Sequence, residues 1–303
     1  MNQLRGVLYG IVSSSTFGLI PLFAIPAILA GVGIDSVMFY RFGISSLVVG
    51  IYMLIRQHDM RVTLREFATL FGLGLFYAST ALFLTQSYMY IPSGIATTIH
   101  FLYPVVVTVV MILFFKERVS MPVVFATILA VCGVWLLSSG EGEGAVGWKG
   151  LLYVLLTVVT YALYIVGVNK SCVHRMDGLK MTFYVLFACT IIFGLNLLVK
   201  GQGLDIPGSA NVWIHLILLA LIPTLISDLT LILAVQHIGS TTTAVLGCME
   251  PLTAVGMGVL FLGEQFGFMQ LLGMIVVLAA VIIIILTGSR EVKQEKVKIK
   301  NKR

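Results

Sequence analysis

Two stretches of this chain resemble each other: SGIATTIHFLYPVVVTVVMILFFKER at residues 93–118 and STTTAVLGCMEPLTAVGMGVLFLGEQ at residues 240–265. Aligned without a gap at an offset of 147 residues, they share five identities, among them Pro104 with Pro251 and Glu117 with Glu264. An apolar bias explains shared Leu and Phe, but it does not place a proline and a glutamate in the same register. We infer that the chain contains an internal repeat.

The repeat reaches back to the beginning of each half. At an offset of 144, the matching residues are Gly6, Leu8, Tyr9, Thr16 and Leu19 with Gly150, Leu152, Tyr153, Thr160 and Leu163. Phe17 and Tyr161 occupy equivalent positions in this alignment. The two halves are therefore predicted to be copies of one unit.

The composition places both copies in a membrane. Of the 303 residues, 59% are hydrophobic and 11% are charged, whereas soluble domains average about 45–50% and about 25%. The mean hydropathy is +1.04. These values exclude a soluble enzyme, a nucleic-acid-binding protein and a disordered chain. Apolar runs lie near 4–28, 35–55, 67–90, 94–115, 120–138, 150–168, 180–199, 212–236, 241–261 and 267–287.

Each run is long enough to cross a bilayer, which takes about 20 residues. We therefore predict an all-α membrane protein with ten transmembrane helices, called spans 1 to 10. Five spans per copy is an odd number, so the second copy is inverted relative to the first. The predicted fold is thus two inverted-topology five-helix repeats, an arrangement common among alternating-access transporters.

Lysine and arginine orient the chain. With the N-terminus in the cytoplasm, 16 of the 19 lie inside, Lys149 and Lys200 lie outside, and Arg41 lies within span 2. Both termini are therefore predicted to be cytoplasmic. The predicted divisions are a first repeat at 1–138, an outer linker at 139–148, a second repeat at 149–288 and a basic cytoplasmic tail at 289–303. We expect a multi-pass protein of the plasma (inner) membrane that keeps its first apolar run.

The net charge of +6 does not indicate a nucleic-acid partner, because seven Lys and Arg residues lie at 290–303 and suit an acidic membrane face. The four cysteines form no metal-binding pattern and are interpreted as small buried side chains: Cys132, Cys172, Cys189 and Cys248. Neither a metal site nor a cofactor is predicted. An ATP-binding GxxxxGK[ST] motif is absent, so any transport would use a gradient, exchange or a partner's energy.

Three short motifs resemble the EamA domains of the drug/metabolite transporter superfamily. They are Glu250-Pro251 with Phe261-Leu262-Gly263-Glu264, Tyr103-Pro104 with Lys116-Glu117-Arg118, and Tyr40-Arg41-Phe42 at the start of span 2. The resemblance covers nearly the whole chain as two tandem domains. It implies a ten-helix carrier with a central cavity lined by spans 1, 3, 4, 6, 8 and 9. Related carriers handle amino acids, other metabolites or drugs.

Ionisable residues at membrane depth are costly and therefore candidates for function. Asp228 and Glu250 each lie eleven residues from a turn expected near Gly239. Both are therefore about 16 Å from that turn, at similar depth. If their faces meet, the two carboxylates would hold a proton near neutral pH and serve proton coupling. Either could instead bind a substrate amine, or be a protonated packing group; Glu250 could simply serve the helix break.

Two basic residues also lie within spans. Arg41 is about 9 Å from the outer end of span 2, where it could anchor the helix by snorkelling or act as a counter-ion or anion binder. His100 lies deep in span 4. It could relay protons or be a neutral packing histidine.

Other candidates line or bend the spans. Predicted cavity-lining residues are Phe17, Tyr77, Gln86, Tyr161 and Tyr164, for which core packing is the alternative. Predicted hinges or kinks are Pro21, Pro104, Pro223 and Pro251, because proline removes a helix hydrogen bond. Glu117 and Glu264 are interpreted as structural groups at helix ends.

The sequence as a whole predicts a secondary transporter, an exporter or exchanger of a small metabolite, amino acid or drug, with coupling to protons as an additional hypothesis. The expected partners are that small molecule, the lipid bilayer and protons; the oligomeric state is left open. A membrane-embedded enzyme that acts on a lipid-linked substrate is the alternative. A channel is less consistent with isolated polar residues.

Overall fold

The computed structural model describes residues 2–115, 147–247, 249–265, 267–269, 271–280 and 282–283, with positions 121, 125, 128–129, 132–133 and 135–136. Every regular element in these ranges is helical, which confirms the predicted all-α membrane protein. Six stretches of the described chain are long and apolar enough to span a membrane, and three shorter apolar helices accompany them. Glu117, Cys248, linker residues 139–146 and the basic tail lie outside the described residues.

The first half contains six described helices. They are α1 (Asn2–Phe17), α2 (Ile20–Leu29), α3 (Ile34–Ile55), α4 (Leu64–Ser87), α5 (Ser93–His100) and α6 (Tyr103–Phe115). Spans 1 and 4 are therefore each broken into two helices, at residues 18–19 and 101–102. α4 begins with a capping box, in which Thr63 and Glu66 satisfy each other's backbone N–H groups.

The second half contains six more described helices. They are α7 (Trp148–Lys170), α8 (Gly178–Val199), α9 (Ala210–Ala220), α10 (Ser227–Leu246), α11 (Met249–Phe261) and α12 (Leu271–Ala280). A π-helical segment, Leu221–Ile226, joins α9 to α10. α10 is interrupted at Gly239, where φ is 78° and ψ is 163°; glycine tolerates this φ, and the expected turn lies there.

The helices pack mainly across the two repeats. α1 packs along α10, and its repeat counterpart α7 packs along α4. Two further packed pairs, α3 with α8 and α5 with α11, each join equivalent spans. Equivalent elements of two copies contact each other only near a two-fold axis that relates the copies. These contacts therefore indicate that such an axis passes between the two repeats.

One contact gives the relative direction of the repeats. The backbone N–H of Ser93, at the start of span 4, donates to Glu264 Oε1 at 2.7 Å. Glu264 lies at the end of span 9, the counterpart of span 4. Equivalent spans therefore run antiparallel here, as inverted repeats require.

Small residues allow close helix approach, as is usual in membrane bundles. A Cβ atom on Gly74 of α4 would lie 2.5 Å from the Cβ of Ala188 on α8. α4 and α8 thus touch at a position that admits only glycine without movement.

Charged contacts lie at the two ends of the bundle. Lys180 Nζ binds Asp59 Oδ2 at 2.9 Å at the end predicted to be cytoplasmic. At the opposite end, Lys200 pairs with Asp35, and Asp205 Oδ2 accepts from the backbone N–H of Gly33 at 2.8 Å. Asp205 thereby ties the loop between α8 and α9 to the start of α3.

Candidate functional site

The middle of the bundle contains a group of buried polar and aromatic side chains between the repeats. This central cluster consists of Phe17, Arg41, Tyr77, His100, Tyr103, Tyr161, Tyr164, Asp228 and Glu250. Their relative exposures are between 0% and 4%. Eight of the nine were singled out from the sequence, and Tyr103 entered there only as part of a family motif.

Helix breaks bring the backbone close to this cluster. The α1–α2 junction approaches the start of α11, because a Cβ on Gly18 would lie 2.6 Å from the backbone O of Glu250. The α5–α6 break lies between His100 and Tyr103, and the π-helical segment ends just before Asp228. Irregular helical backbone at membrane depth is tolerated where protein or a cavity surrounds it.

Asp228 lies at the start of α10 and is held by one aromatic hydroxyl. Tyr164 donates from its hydroxyl to Asp228 Oδ1 at 2.8 Å. Asp228 Oδ2 is buried and has no hydrogen-bond partner among the described residues. The ring of Tyr77 stacks on that of Tyr164, with centroids 4.9 Å apart. Because Oδ2 has no partner among the described residues, this oxygen of Asp228 is available to a ligand or a proton.

Arg41 points into the protein and not to the outer surface. Its Nε donates to Thr224 Oγ1 at 2.6 Å, and its guanidinium lies 5.1 Å from the centre of the Phe42 ring. Thr224 belongs to the π-helical segment, and its own hydroxyl donates to Leu219 O at 2.7 Å. Arg41 Nη2 has no partner in the described part of the chain. At 1% exposure, this arginine does not act as a snorkelling anchor in this conformation.

Glu250 meets its own counterpart in the other repeat. At the offset of 147, Tyr103 is equivalent to Glu250, and its hydroxyl donates to Glu250 Oε1 at 3.4 Å. Glu250 Oε2 is buried without a partner among the residues described. Phe17 and Tyr161, equivalent at offset 144, also touch, with ring centroids 5.7 Å apart. Both pairs therefore lie close to the two-fold axis.

His100, the last residue of α5, lies beside Tyr161 in the central cluster. Its Nδ1 lies 2.7 Å from Thr157 Oγ1, whose hydroxyl already donates to Val154 O at 2.6 Å. His100 Nδ1 therefore carries the hydrogen, which leaves Nε2 as an acceptor. Nε2 has no partner in the described structure, and the ring lies 5.0 Å from that of Tyr161.

Asp228 and Glu250 lie in one cluster, although neither donates to the other. Tyr164 contacts Asp228, Tyr103 contacts Glu250, and Tyr161 lies between them, with centroids 6.1 Å from Tyr164 and 4.7 Å from Tyr103. The two carboxyl groups are thus joined through three tyrosines. A ligand in contact with both would replace part of this aromatic packing.

Gln86 lies apart from the central cluster. It lines a surface pocket of about 380 Å³ at the predicted outer end, together with Asp35, Ser36 and Asp205. The structure therefore places it in this surface pocket and not beside Asp228 or Glu250.

The four predicted kink prolines all lie at irregular points. Pro21 and Pro104 follow the breaks in spans 1 and 4, Pro223 lies in the π-helical segment, and Pro251 is in the first turns of α11. In the first turn of a helix the backbone N–H has no partner within the helix. A proline there loses no hydrogen bond, so it is well suited to begin a new helix after a break. Hinge motion at these prolines stays a prediction.

Sequence reasoning missed several contributors. Thr224, Thr157 and Pro26 were not singled out; Pro26 lies inside α2. Only for Thr224 was there a signal in the sequence, since it follows Pro223.

The interpretation of the cysteines as buried side chains is wrong for Cys132 and Cys172, which are exposed, whereas Cys189 is buried. A thiol loses little by facing lipid or a loop surface, so burial is not required.

Comparisons with known proteins agree with this architecture. The model of the EamA-like transporter family matches residues 4–139 and 148–286. The chain is 24% identical over 164 residues to the uncharacterized transporter YcbK of Bacillus subtilis, a match that spans 52% of each protein. It is 23% identical over 268 residues to the uncharacterized transporter YdfC of the same organism, covering 85% of both.

Two further comparisons extend this similarity. An uncharacterized transporter of Archaeoglobus fulgidus is 24% identical over 215 residues, which cover 71% of this chain and 75% of the relative. A solved structure, described only as a crystal structure of a protein, superposes with a TM-score of 0.72 at 16% identity, covering 95% of this chain and 99% of that one. That likeness supports the fold. Because the tandem family matches cover most of a helical membrane protein, this chain belongs to the EamA-like transporter family.

Proposed function

We propose that this protein is a secondary transporter that binds a small solute in the central cluster and moves it by alternating access. The solute is a small metabolite, amino acid or drug, and the direction is export or exchange across the inner membrane. Rocking of the two repeats about their shared axis would open the cluster to one side and then to the other.

The observation that carries this proposal is the position of half-satisfied carboxyl groups between the repeats. Asp228 Oδ2 and Glu250 Oε2 are buried without partners in the described chain. An unsatisfied buried polar atom is costly, so native proteins retain one mainly where a ligand, water or proton completes it. Both atoms lie at an interface that must rearrange if the repeats rock.

Proton coupling is the second part of the proposal. Asp228 and Glu250 are carboxyl groups that can bind and release a proton, and Tyr164 and Tyr103 each leave one carboxyl oxygen free. Binding and release of a proton at these atoms in step with the solute would couple solute movement to a pH gradient.

Reconstitution into proteoliposomes tests this function. We would measure uptake and efflux of amino acids, nucleosides, sugars and cationic drugs, with and without a pH gradient. We expect one class to move, and we expect Asp228→Asn with Glu250→Gln to abolish its movement or its response to pH. Asp59→Asn, which alters a carboxylate at the cytoplasmic end, is the matched control.

A double variant that transports at the normal rate would remove both carboxyl groups from the proposal. Modification of a lipid by the purified protein, without solute movement, would favour a membrane enzyme. The location of the buried polar groups deep in the bundle, away from both ends, supports the transporter.

A further inference from the structure

Arg41 is the only lysine or arginine that is buried in the described part of the chain. Its Nε uses the lone pair of Thr224 Oγ1, because the hydroxyl hydrogen of Thr224 is donated to Leu219 O. Nη2 has no partner there. A guanidinium keeps its charge in proteins, so burial calls for a nearby negative charge.

Asp228 is close to Arg41 but does not neutralise it by direct contact. Thr224 and Asp228 are four residues apart, about one helical turn. Among the described residues, the ion pairs within 4.0 Å do not include Arg41 with Asp228. Arg41 nevertheless acts electrostatically on Asp228, so the two groups are near each other, and each has one unpartnered atom, Arg41 Nη2 and Asp228 Oδ2.

A single carboxylate would complete both atoms. One of its oxygens would accept from Arg41 Nη2, and the other would accept from Asp228 if that side chain carries a proton on Oδ2. The charge then balances, since one guanidinium faces one carboxylate. A doubly charged phosphate group would leave negative charge unbalanced, so the single buried arginine favours a monoanion.

We propose that Arg41, Thr224 and Asp228 form a subsite for the carboxylate of the transported solute, with Asp228 protonated while the carboxylate is bound. This inference rests on the proposed function and names the chemistry of its substrate. The pH-sensitive or charged groups near Asp228 come from four other helices and are Arg41, Tyr77, Tyr161, Tyr164 and Cys189.

The repeat shows that this subsite is not a product of symmetry. The counterpart of Asp228 is Ala81 at the offset of 147 and Leu84 at the offset of 144, and neither carries a carboxyl group. The carboxyl group therefore belongs to one repeat only, whereas the axial pairs Phe17–Tyr161 and Tyr103–Glu250 join equivalent positions. A directional, chemically selective contact is expected off the axis, where the copies can differ.

The aromatic side chains beside Asp228 indicate which compounds would test the carboxylate subsite. Tyr77 and Tyr164 stack beside Asp228, so a phenyl ring is a suitable non-polar group. The matched series is phenylacetate, phenylacetamide, phenylethylamine and phenylalanine, to which butyrate is added as a carboxylate without a ring. Binding of each to the purified full chain in detergent is measured by calorimetry and thermal unfolding, because a ligand of the folded state raises its apparent stability.

We expect phenylacetate to bind about tenfold or more tightly than phenylacetamide, and we expect the protein to take up a proton when it binds phenylacetate. Proton uptake is read from the binding heat in buffers of different ionisation enthalpy. Preferred binding of phenylethylamine, or binding of phenylalanine without proton uptake, would show an ionised Asp228 that receives an amine, which overturns the proposal. Failure of both phenylacetate and butyrate to bind overturns it as well.

Variants assign the effect to residues. Arg41→Gln should weaken phenylacetate binding about tenfold to a hundredfold, and Arg41→Lys should restore part of it. Asp228→Asn should keep the binding, because its amide can donate, but lose the proton uptake. Arg56→Gln, which removes an exposed arginine next to the end of the same helix, is the control. It should change neither the binding of phenylacetate nor the proton uptake. If Arg41→Gln does not fold, the wild-type comparison of phenylacetate with phenylacetamide still decides.

Transport assays separate this inference from the proposed function. Movement of an amine or nucleoside in proteoliposomes, with no carboxylate binding, would leave the transporter standing and overturn the subsite. Carboxylate binding with no movement of any solute would support the subsite and contradict transport.

Discussion

At the scale of single residues, the hydroxyl of Tyr164 is the donor that the structure provides to Asp228 Oδ1. Tyr164→Phe leaves a buried carboxyl with both oxygens unpartnered, so we expect a loss of about 1–3 kcal/mol in unfolding free energy. Unfolding in mixed micelles, followed by circular dichroism, measures it. Tyr153→Phe on the same helix, whose ring stacks on Tyr90, is the control and should cost less than about 0.5 kcal/mol.

The hydrogen bond itself is isolated by a double-mutant cycle. In an Asp228→Leu background, Tyr164→Phe should cost much less than in the wild type, because no carboxyl remains to be satisfied. Equal costs in the two backgrounds would mean that Tyr164 stabilises the protein through its ring alone.

A second prediction at this scale concerns pH. The Lys180 ammonium, hydrogen-bonded to Asp59, lowers the pKa of that carboxyl below its usual 3.8. A carboxyl with a lowered pKa stabilises the folded state above the unfolded pKa, and that contribution is lost as the pH falls through the folded value. The stability gap between wild type and Lys180→Gln should therefore be present at about pH 6 and smaller at about pH 3.

Thermal unfolding at the two pH values measures this gap. Asp59 is well exposed, so the gap will be small and should shrink with added salt. Lys149→Gln, at the opposite end of the bundle, is the control and should show no such pH dependence. A gap that persists in acid would mean that Lys180 acts mainly through its backbone-carbonyl contact with Arg61.

At the scale of helices, close approach at Gly74 predicts an asymmetry between neighbouring glycines of α4. A Cβ on Gly74 would lie 2.5 Å from Ala188 Cβ, whereas one on Gly72 would meet nothing within 4 Å. Gly74→Ala should cost about 1–3 kcal/mol because α4 and α8 must separate. Gly72→Ala should be neutral or stabilising by up to about 1 kcal/mol, since alanine is the better helix former.

Parallel unfolding measurements on the two variants decide this prediction. Both substitutions are chemically identical and lie on one helix, so any difference reports the packing against α8. Equal effects would show that the helices have room to accommodate a methyl group.

The helix breaks show how far sequence reasoning reaches at this scale. Proline predicted irregular backbone near Pro21, Pro104 and Pro223, because its missing N–H is a local property. The π-helical segment was not predicted, since it depends on the packing of α9 and α10 against other helices. The π-helical segment changes which residues face Arg41. The hydrogen bond from Arg41 to Thr224 could therefore not be derived from α-helical periodicity.

At the scale of the whole molecule, two repeats were recognisable because Pro104 with Pro251 and Glu117 with Glu264 preserve one register. Their antiparallel relation also follows from an odd number of spans. The central cluster was predictable in part, since ionisable residues at membrane depth are rare. Which of them touch was not, because sequence does not define the facing sides of helices, and Gln86 accordingly lies at the outer pocket.

The same symmetry predicts what must move. Glu264 accepts from Ser93 N at 2.7 Å, Ser93 Oγ at 2.5 Å and Gly94 N at 3.2 Å, which fastens the end of the second repeat's span 9 to the start of α5. If access alternates, α5 and α11 must separate at this predicted outer end in one half of the cycle. Ser93→Cys with Glu264→Cys, joined by a short bis-methanethiosulfonate linker, should therefore stop solute movement in proteoliposomes, and dithiothreitol should restore it.

The native cysteines must first be replaced, because Cys132 and Cys172 are exposed and would react. Each single-cysteine variant, treated with the same reagent, controls for modification without a link. Mass spectrometry measures the linked fraction, and transport should fall in proportion to it. A fully linked protein that moves solute at the unlinked rate would show that α5 and α11 stay together at this end, because a covalent tether and an opening of that gap are mutually exclusive.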